Sequence, residues 1–346
     1  MFTYEINAAD IRHNIDTVLG RAEVPTWGVI KFDGYGMGLS FMAEMLSRCG
    51  VTRFALADAQ DAKKLREDGF TDEEILLISP PGAERDIETA LKYNCIFSVG
   101  SENLAERIVK TAEDMGQKAR AHIKVDTGLG RYGFFQSEYE KIKKLYNYSE
   151  TLSIEGIYSH FSGAYLKTKK TMRQFEMFSG VLTKLEADGI DRGMAHIANS
   201  PALFRLDGVK LDAVRIGSAL VGRVTGTTSA ETGLKRAGIL KGEVSEIRIF
   251  PKNHNIGYGN RIKVRRETKV AVLTVGKWHG LETKAIRLRK IPITVTINGA
   301  QYKSIGKLGD GNVSIDVTGS NVAVGDVVKI DINPLRLNRS VVREYI

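Results

Sequence analysis

Between residues 10 and 222 the chain repeats one pattern, a short apolar run followed by a charged stretch of helical spacing. The runs lie at Trp27–Ile30, Phe54–Ala57, Ile75–Ile78, Ile96–Val99, Ala121–Val125, Ile154–Ser159, Met194–Ile197 and Leu211–Ile216, eight in all. Asp58–Asp68, Ser101–Met115 and Lys169–Ala187 are helix-like. The first two open on Asp or Ser, whose side-chain oxygens accept from backbone N–H groups of a first turn. Apolar runs alternating with amphipathic stretches build parallel strands joined by crossover helices. Eight such units predict an α/β chain with an N-terminal (β/α)8 TIM barrel over residues 8–222.

After Arg223 the texture changes. Gly242–Ile249, Lys269–Val275, Ile291–Ile297, Val313–Val317 and Val327–Ile332 are β-branched or alternating, with no sustained helical period. A C-terminal, mostly antiparallel β domain over residues 223–346 is expected, with a strand at Thr3–Ile6 within residues 1–7 joining it.

Composition narrows the function. Across 346 residues, 42% hydrophobic and 26% charged content describe a globular chain able to bury a large core. The first ten residues carry acidic and polar positions and no apolar run, so neither a signal peptide nor a membrane span is expected. A cytoplasmic location follows as the default. Cys49 and Cys95 are the only cysteines, too few for a disulfide framework or a thiolate metal cluster, and no metal site is expected. The net charge of +9 would suit nucleic acid if clustered. The bases are instead interleaved with acids, as over Asp61–Asp68. The dense segments Arg261–Lys269 and Lys284–Lys290 alternate with apolar residues like strands with one solvated face. Neither nucleic acid nor a membrane is expected as a partner.

The first strand–helix junction reads VIKFDGYGMG over Val29–Gly38. Lys31 stands at the C-terminal end of the first strand, which in a barrel is the active-site rim. A lysine there can bond covalently to a cofactor aldehyde, and the glycines let backbone approach a phosphate. A solvated lysine at a strand end is the plain alternative.

VIKFDGYGMG resembles the pyridoxal-lysine segment of alanine racemases, and further segments follow in family order. AHIKVDTGLGRYGF at Ala121–Phe134 is similar to the family's strand and arginine-bearing loop. EGIYSHFSGA at Glu155–Ala164, IANSPALF at Ile197–Phe204 and DAVRIGSALVG at Asp212–Gly222 resemble its next three. Ile256–Gly280 matches the start of its β domain in spacing. The resemblance covers nearly the whole chain and implies pyridoxal 5'-phosphate as cofactor and an amino acid as substrate.

Carried across, it implies that Lys31 bonds the cofactor and serves as the base on one face of the substrate carbon. Tyr35, Ser200, Gly217 and Ser218 would hold the phosphate, with Asn199 beside them. Arg215 would face the pyridine nitrogen, and His160 would border the ring. Arg131 would contact the cofactor's phenolic oxygen and the substrate carboxylate. Lys124 occupies the position where many relatives carry a carbamylated lysine. A guanidinium cannot accept a proton, so Arg215 would leave the pyridine nitrogen unprotonated and weaken electron withdrawal, which favours prompt reprotonation. His122 and His196, inside barrel strands, are assigned no role beyond structure. The resemblance also implies a head-to-tail homodimer, in which the β domain of one subunit completes the barrel mouth of the other.

The match departs from the family where relatives carry a tyrosine in a G-Y-x-D-G segment. Here the chain has Gly276-Lys277-Trp278-His279-Gly280. Gly306–Gly311 keeps only Asp310 of a Met-Asp pair, and Asn333–Arg336 replaces a tyrosine-bearing segment. Lys277 could act as the opposite-face base, as an anchor for an acidic group, or as neither. A two-base racemase or epimerase, not confined to alanine, is the leading reading. A decarboxylase or lyase on the same scaffold, or a non-catalytic pyridoxal-phosphate protein, are the alternatives.

Overall fold

The computed structural model describes residues 1–148, 150–166, 169–257, 262–282, 285–286, 289–290 and 292–346. Arg261, Lys284 and Ile291, which begin three of the segments above, lie outside them, as do residues 258–261 of the Ile256–Gly280 segment. The chain divides into two compact units, one of Ala9–Arg236 and one of Met1–Ala8 with Ala237–Ile346.

The larger unit is the predicted barrel. After β1 (Thr3–Ile6), its strands are β2 (Thr26–Val29), β3 (Arg53–Leu56), β4 (Glu74–Leu77), β5 (Cys95–Val99), β6 (Ala119–Lys124), β7 (Leu152–Tyr158), β8 (Met194–His196) and β9 (Val214–Ile216). They run parallel in the order β8-β7-β6-β5-β4-β3-β2-β9. The ends meet where Asp212 N–H donates to Ala195 O at 3.0 Å and Arg215 N–H to Ala198 O at 2.9 Å, which closes the barrel. Strands covered on both faces read as continuous apolar runs, and every residue of β2 and of β5 is buried. Trp27, Val29, Ala55, Leu76, Ile96 and Ala213 pack as one core cluster.

Capping sets the helix starts. The Asp58 carboxylate accepts from Gln60 N–H at 3.0 Å and Asp61 N–H at 2.9 Å, opening helix Ala59–Glu67. Ser101 Oγ accepts from Leu104 N–H at 3.2 Å and opens Glu102–Asp114. Residues 223–236, taken from the sequence as the opening of the β region, group with the barrel. Asn14 ties them there: its amide donates to Lys235 O and accepts from Lys235 N–H, both at 2.8 Å.

The smaller unit holds a nine-stranded sheet in the order Glu246–Phe250, Thr268–Leu273, Val313–Asp316, Ala300–Ile305, Thr294–Ile297, Val327–Ile330, Gly238–Glu243, β1, Arg343–Tyr345. All its pairings are antiparallel except that of β1 with Arg343–Tyr345. The alternating segment Gly242–Ile249 falls in two strands, because the chain changes partner at its middle. Val244 N–H bonds to Asp326 O, and Ser245 N–H turns to Val272 O. Asn298 and Gly299, with φ of 49° and 81°, form the tight turn between Thr294–Ile297 and Ala300–Ile305. Among the described residues no helix is long and apolar enough to cross a membrane.

Candidate active site

Lys31 follows β2 at the C-terminal end of the barrel and begins a turn of unusual hand. Phe32, Asp33, Gly34, Tyr35 and Gly36 have φ of 55°, 58°, 62°, 56° and 83°. A left-handed conformation costs an L-residue roughly 1–2 kcal/mol, so the three non-glycine residues among these five need external support. Gly34 N–H bonds to Ile30 O at 2.9 Å and Gly38 N–H to Asp33 O at 3.0 Å. The Asp33 carboxylate accepts from Leu39 N–H at 3.0 Å. The result directs both Lys31 and Tyr35 into one cavity. Burial and then the Arg131 charge hold the Lys31 amine below the ordinary lysine range.

One end of that cavity gathers hydroxyl groups around Gly217. The Tyr35 hydroxyl lies against Gly217 so closely that a Cβ there would sit 2.5 Å from it. Burial pushes the Tyr35 phenol up to about 12, so it stays protonated and able to donate. Ser200 Oγ accepts from Gly217 N–H at 3.3 Å and Ala219 N–H at 3.2 Å. Ser218 and Asn199 line the same cavity. The Asn199 side-chain oxygen caps the following helix by accepting from Ala202 N–H at 3.1 Å.

The other end is organised by Arg215, which is 4% exposed. Its neighbours are neutral acceptors. It bonds His196 Nδ1 at 2.6 Å, His196 O at 3.2 Å, Ser159 O at 2.7 Å and His160 Nδ1 at 3.2 Å. The guanidinium also lies 4.7 Å from the Tyr158 ring centre. Burial lowers its pKa to about 10, which still leaves it a cation at neutral pH. Because arginine only donates, His196 Nδ1 must accept, and the His196 proton sits on Nε2. That nitrogen lies 2.8 Å from His122 Nδ1, so the two histidines extend a donor chain through the barrel core. Burial first, and Arg215 second, hold both imidazoles in the neutral form. His160 is held neutral in the same way, with Arg131, Lys124 and Lys31 adding to the effect.

Arg131 comes from a loop shaped by one carboxylate. Asp126 accepts from the N–H groups of Gly128, Leu129, Gly130 and Arg131 at 2.8, 2.8, 2.9 and 3.1 Å. Burial would raise its pKa, but these donors outweigh that and keep it ionised. Lys124 is buried at the end of β6, with Nζ donating to Val125 O at 2.5 Å. Burial, followed by Arg215, brings its amine to about 7.

Lys277 and Asp310 belong to the smaller unit. Gly276 approaches Asp310 O so closely that a Cβ would stand 2.4 Å from it. Lys277 N–H bonds to Gly309 O at 3.1 Å and Trp278 N–H to Asp310 O at 2.9 Å. The exposed Lys277 ammonium then pairs with the Asp310 carboxylate at 2.8 Å, and this bond lowers the Asp310 pKa. His279 turns inward and accepts from Gly276 N–H at 3.2 Å, whereas Trp278 points to solvent.

Lys31, Tyr35, Arg131, His160, Asn199, Ser200, Arg215, Gly217 and Ser218 therefore share one cavity. Lys124 lies close enough for its charge to act on His160. Sequence reasoning missed Tyr158, which supports Arg215, and the histidine pair behind it. A histidine at a buried strand position needs a partner, and that rule was the available signal. No group of three or more possible metal ligands occurs among the described residues.

Residues 6–224 match the family description "Alanine racemase, N-terminal domain", and residues 237–335 match "Alanine racemase, C-terminal domain". The chain is 32% identical over 337 residues to alanine racemase 2 of Caldanaerobacter subterraneus subsp. tengcongensis, covering 94% of this chain and 84% of that protein. It is 32% identical over 334 residues to the alanine racemase of Methanococcus maripaludis, covering 94% and 87%. Among solved structures, alanine racemase from Streptomyces coelicolor A3(2) superposes with a TM-score of 0.89 at 25% identity, covering 100% of this chain and 98% of that one.

Proposed function

The chain belongs to the alanine racemase family of pyridoxal-phosphate-dependent isomerases, and from that premise we propose that it racemises an amino acid between two bases, Lys31 and Lys277. The observation that carries this reading is a buried Arg215 with no carboxylate partner among the described residues, facing the same cavity as Lys31 and the Tyr35–Gly217 contact.

The residues present fit the cofactor. Tyr35, Ser200, Gly217 and Ser218 offer hydroxyl and backbone donors to a phosphate, and the absence of a Cβ at Gly217 is what lets Tyr35 close the cradle. Lys31 would hold the aldehyde covalently. Once bound, pyridoxal phosphate supplies a carbonyl for the substrate amine and a ring that draws electrons from the α-carbon. Arg215 would limit that withdrawal if it faced the pyridine nitrogen, since a donor-only side chain would leave that nitrogen unprotonated. Arg131 would take the substrate carboxylate. Lys124 is the carbamylation candidate, because an amine that titrates near neutrality can add to carbon dioxide with loss of a proton, giving an anion to orient Arg131.

Two bases need opposite protonation states at the start of each turnover. Burial favours a neutral Lys31, whereas Lys277 is exposed and pairs with the Asp310 carboxylate. Lys31 would then remove a proton on one face and Lys277 return one on the other. In the head-to-tail homodimer proposed here, the second base comes from Lys277 of the partner subunit. Asp310 would bind substrate indirectly, by setting the position of that ammonium.

Following α-proton exchange and inversion separately tests the assignment. Lys277→Ala should still exchange the α-proton of one enantiomer with solvent deuterium through Lys31, yet fail to invert it. Equal loss of exchange from both enantiomers would remove Lys277 from the base role and leave it an anchor.

A further inference from the structure

A second cavity lies on the other side of the loop that carries Arg131. Its walls are the loop residues Asp126, Gly128 and Phe135, and Lys170, Arg173 and Gln174 of helix Lys169–Ala187. The start of this helix is electrostatically one-sided. It has no acidic residue in its first turn, where the helix dipole favours anions, and instead places Lys169, Lys170 and Arg173 there or just beyond. Lys169 and Arg173 are also four residues apart on one helical face, a like-charge spacing that weakens a helix. None of the three takes part in an ion pair among the described residues.

Gln174 supplies an independent sign. It is 2% exposed, and its Nε2 has no hydrogen-bond partner among the described residues. The orientation of the amide is fixed, since Oε1 accepts from Ser162 N–H at 3.1 Å and from Ser162 Oγ at 2.9 Å, so a flip would set donor against donor. Nε2 therefore faces Gly128, whose missing Cβ would stand 3.6 Å away. A buried donor left unpaired costs on the order of 1–3 kcal/mol. Asp126 cannot relieve it, because its oxygens already take four N–H groups of the loop.

We propose that this cavity binds a small soluble carboxylate with an apolar tail, its head taken by Lys170, Arg173 and the Gln174 amide and its tail by Phe135 and Met177. The anion answers both the unpaired donor and the cationic helix start. Phe135 is 59% exposed, so its ring is available to the tail. No carboxylate in the cavity is free to take an ammonium group, which argues for a simple acid over an amino acid. The ligand would rest on the Asp126–Arg131 loop, so its occupancy bears on the position of Arg131.

Calorimetric titration of the holoenzyme with hexanoate and with hexanol tests the site. Hexanoate should bind saturably to the unaltered protein and to Arg131→Met, and at least tenfold more weakly to the Lys170→Gln/Arg173→Gln double variant and to Gln174→Glu. Hexanol should show no saturable binding. The double variant changes only surface cations and should keep its racemase activity in the absence of hexanoate, which separates failure of this site from failure of the proposed function. Hexanoate binding that survives the double variant and disappears in Arg131→Met would place the acid in the Lys31 cavity and overturn the proposal. Equal binding of hexanol would overturn it as well, since the cations would then play no part.

Discussion

The Lys31 cavity and the Gly276–Gly280 turn each present a cation, and the two are held in opposite ways. Arg215 is buried against two imidazoles and two carbonyl oxygens, and its hydrogen-bond partners among the described residues are all neutral. Lys277 is exposed and paired with a carboxylate. In the first case the surroundings fix the side chain and leave its charge available to whatever enters the cavity. In the second the charge is already answered, and water competes for both partners. Strong electrostatic effects belong where water is excluded, so the cavity carries the fixed chemistry and the turn carries what can be tuned.

The comparison breaks first at Lys31. Lys31→Ala should abolish a borohydride-trappable cofactor linkage and lower turnover by about 10³-fold or more, because tether and base vanish together. A reducible adduct of unchanged mass shift in the variant would move the role to another lysine.

Lys124→Met comes next. The folded-state pKa of about 7 lies below the unfolded value, so the folded protein binds fewer protons than the unfolded one between about pH 7 and 10.5. Stability should therefore rise with pH across that window. Removing the amine should stabilise the protein by on the order of a few kcal/mol at pH 6 and by little near pH 10, read from denaturant midpoints. A loss of stability on substitution would show instead that the lysine is held as a paired anion, as a carbamate would be.

Arg215→Met should cost about 2 kcal/mol or more of stability, since the acceptors on His196 and Ser159 lose their donor inside the barrel. An unchanged urea midpoint would mean that water replaces the guanidinium. Asp310→Asn should do least. A rise in KM of less than about threefold, shrinking as salt is added, is what an exposed pair predicts. A loss as large as that of Lys31→Ala would show that the Lys277–Asp310 pair is desolvated in the active assembly.

The barrel was legible because a strand covered on both faces has to be written as an apolar run, and each of the eight runs overlaps a strand. The caps at Asp58 and Ser101 were legible for the same local reason. Lys31 and Arg215 could be placed at strand ends, but their partners could not. His196 and His122 are separated by 74 positions, and nothing in either neighbourhood announces the other. The left-handed turn over Phe32–Gly36 was also hidden, since two of its non-glycine members are residues that rarely adopt that conformation and are held there by the surrounding loop. In the smaller unit, Gly242–Ile249 was one alternating segment by pattern and parts of two strands by pairing, because partner exchange leaves no mark in alternation.

The Arg215–His196–His122 chain has a bearing on descent. A donor-only side chain dictates which nitrogen of His196 holds the proton, and that choice dictates the next ring in turn. Replacing Arg215 by an acceptor such as Glu would reverse every donor and acceptor behind it. Such a change would also alter the electron demand on anything bound beside it, so it is the obvious mutational route to a different reaction on this scaffold. Both rings are neutral and can exchange tautomers, so that reversal asks only for protons to change nitrogen and for no further substitution. The inner wall of the barrel can thus serve either kind of residue at position 215, and a lineage could pass from one to the other in a single step without first rebuilding its core.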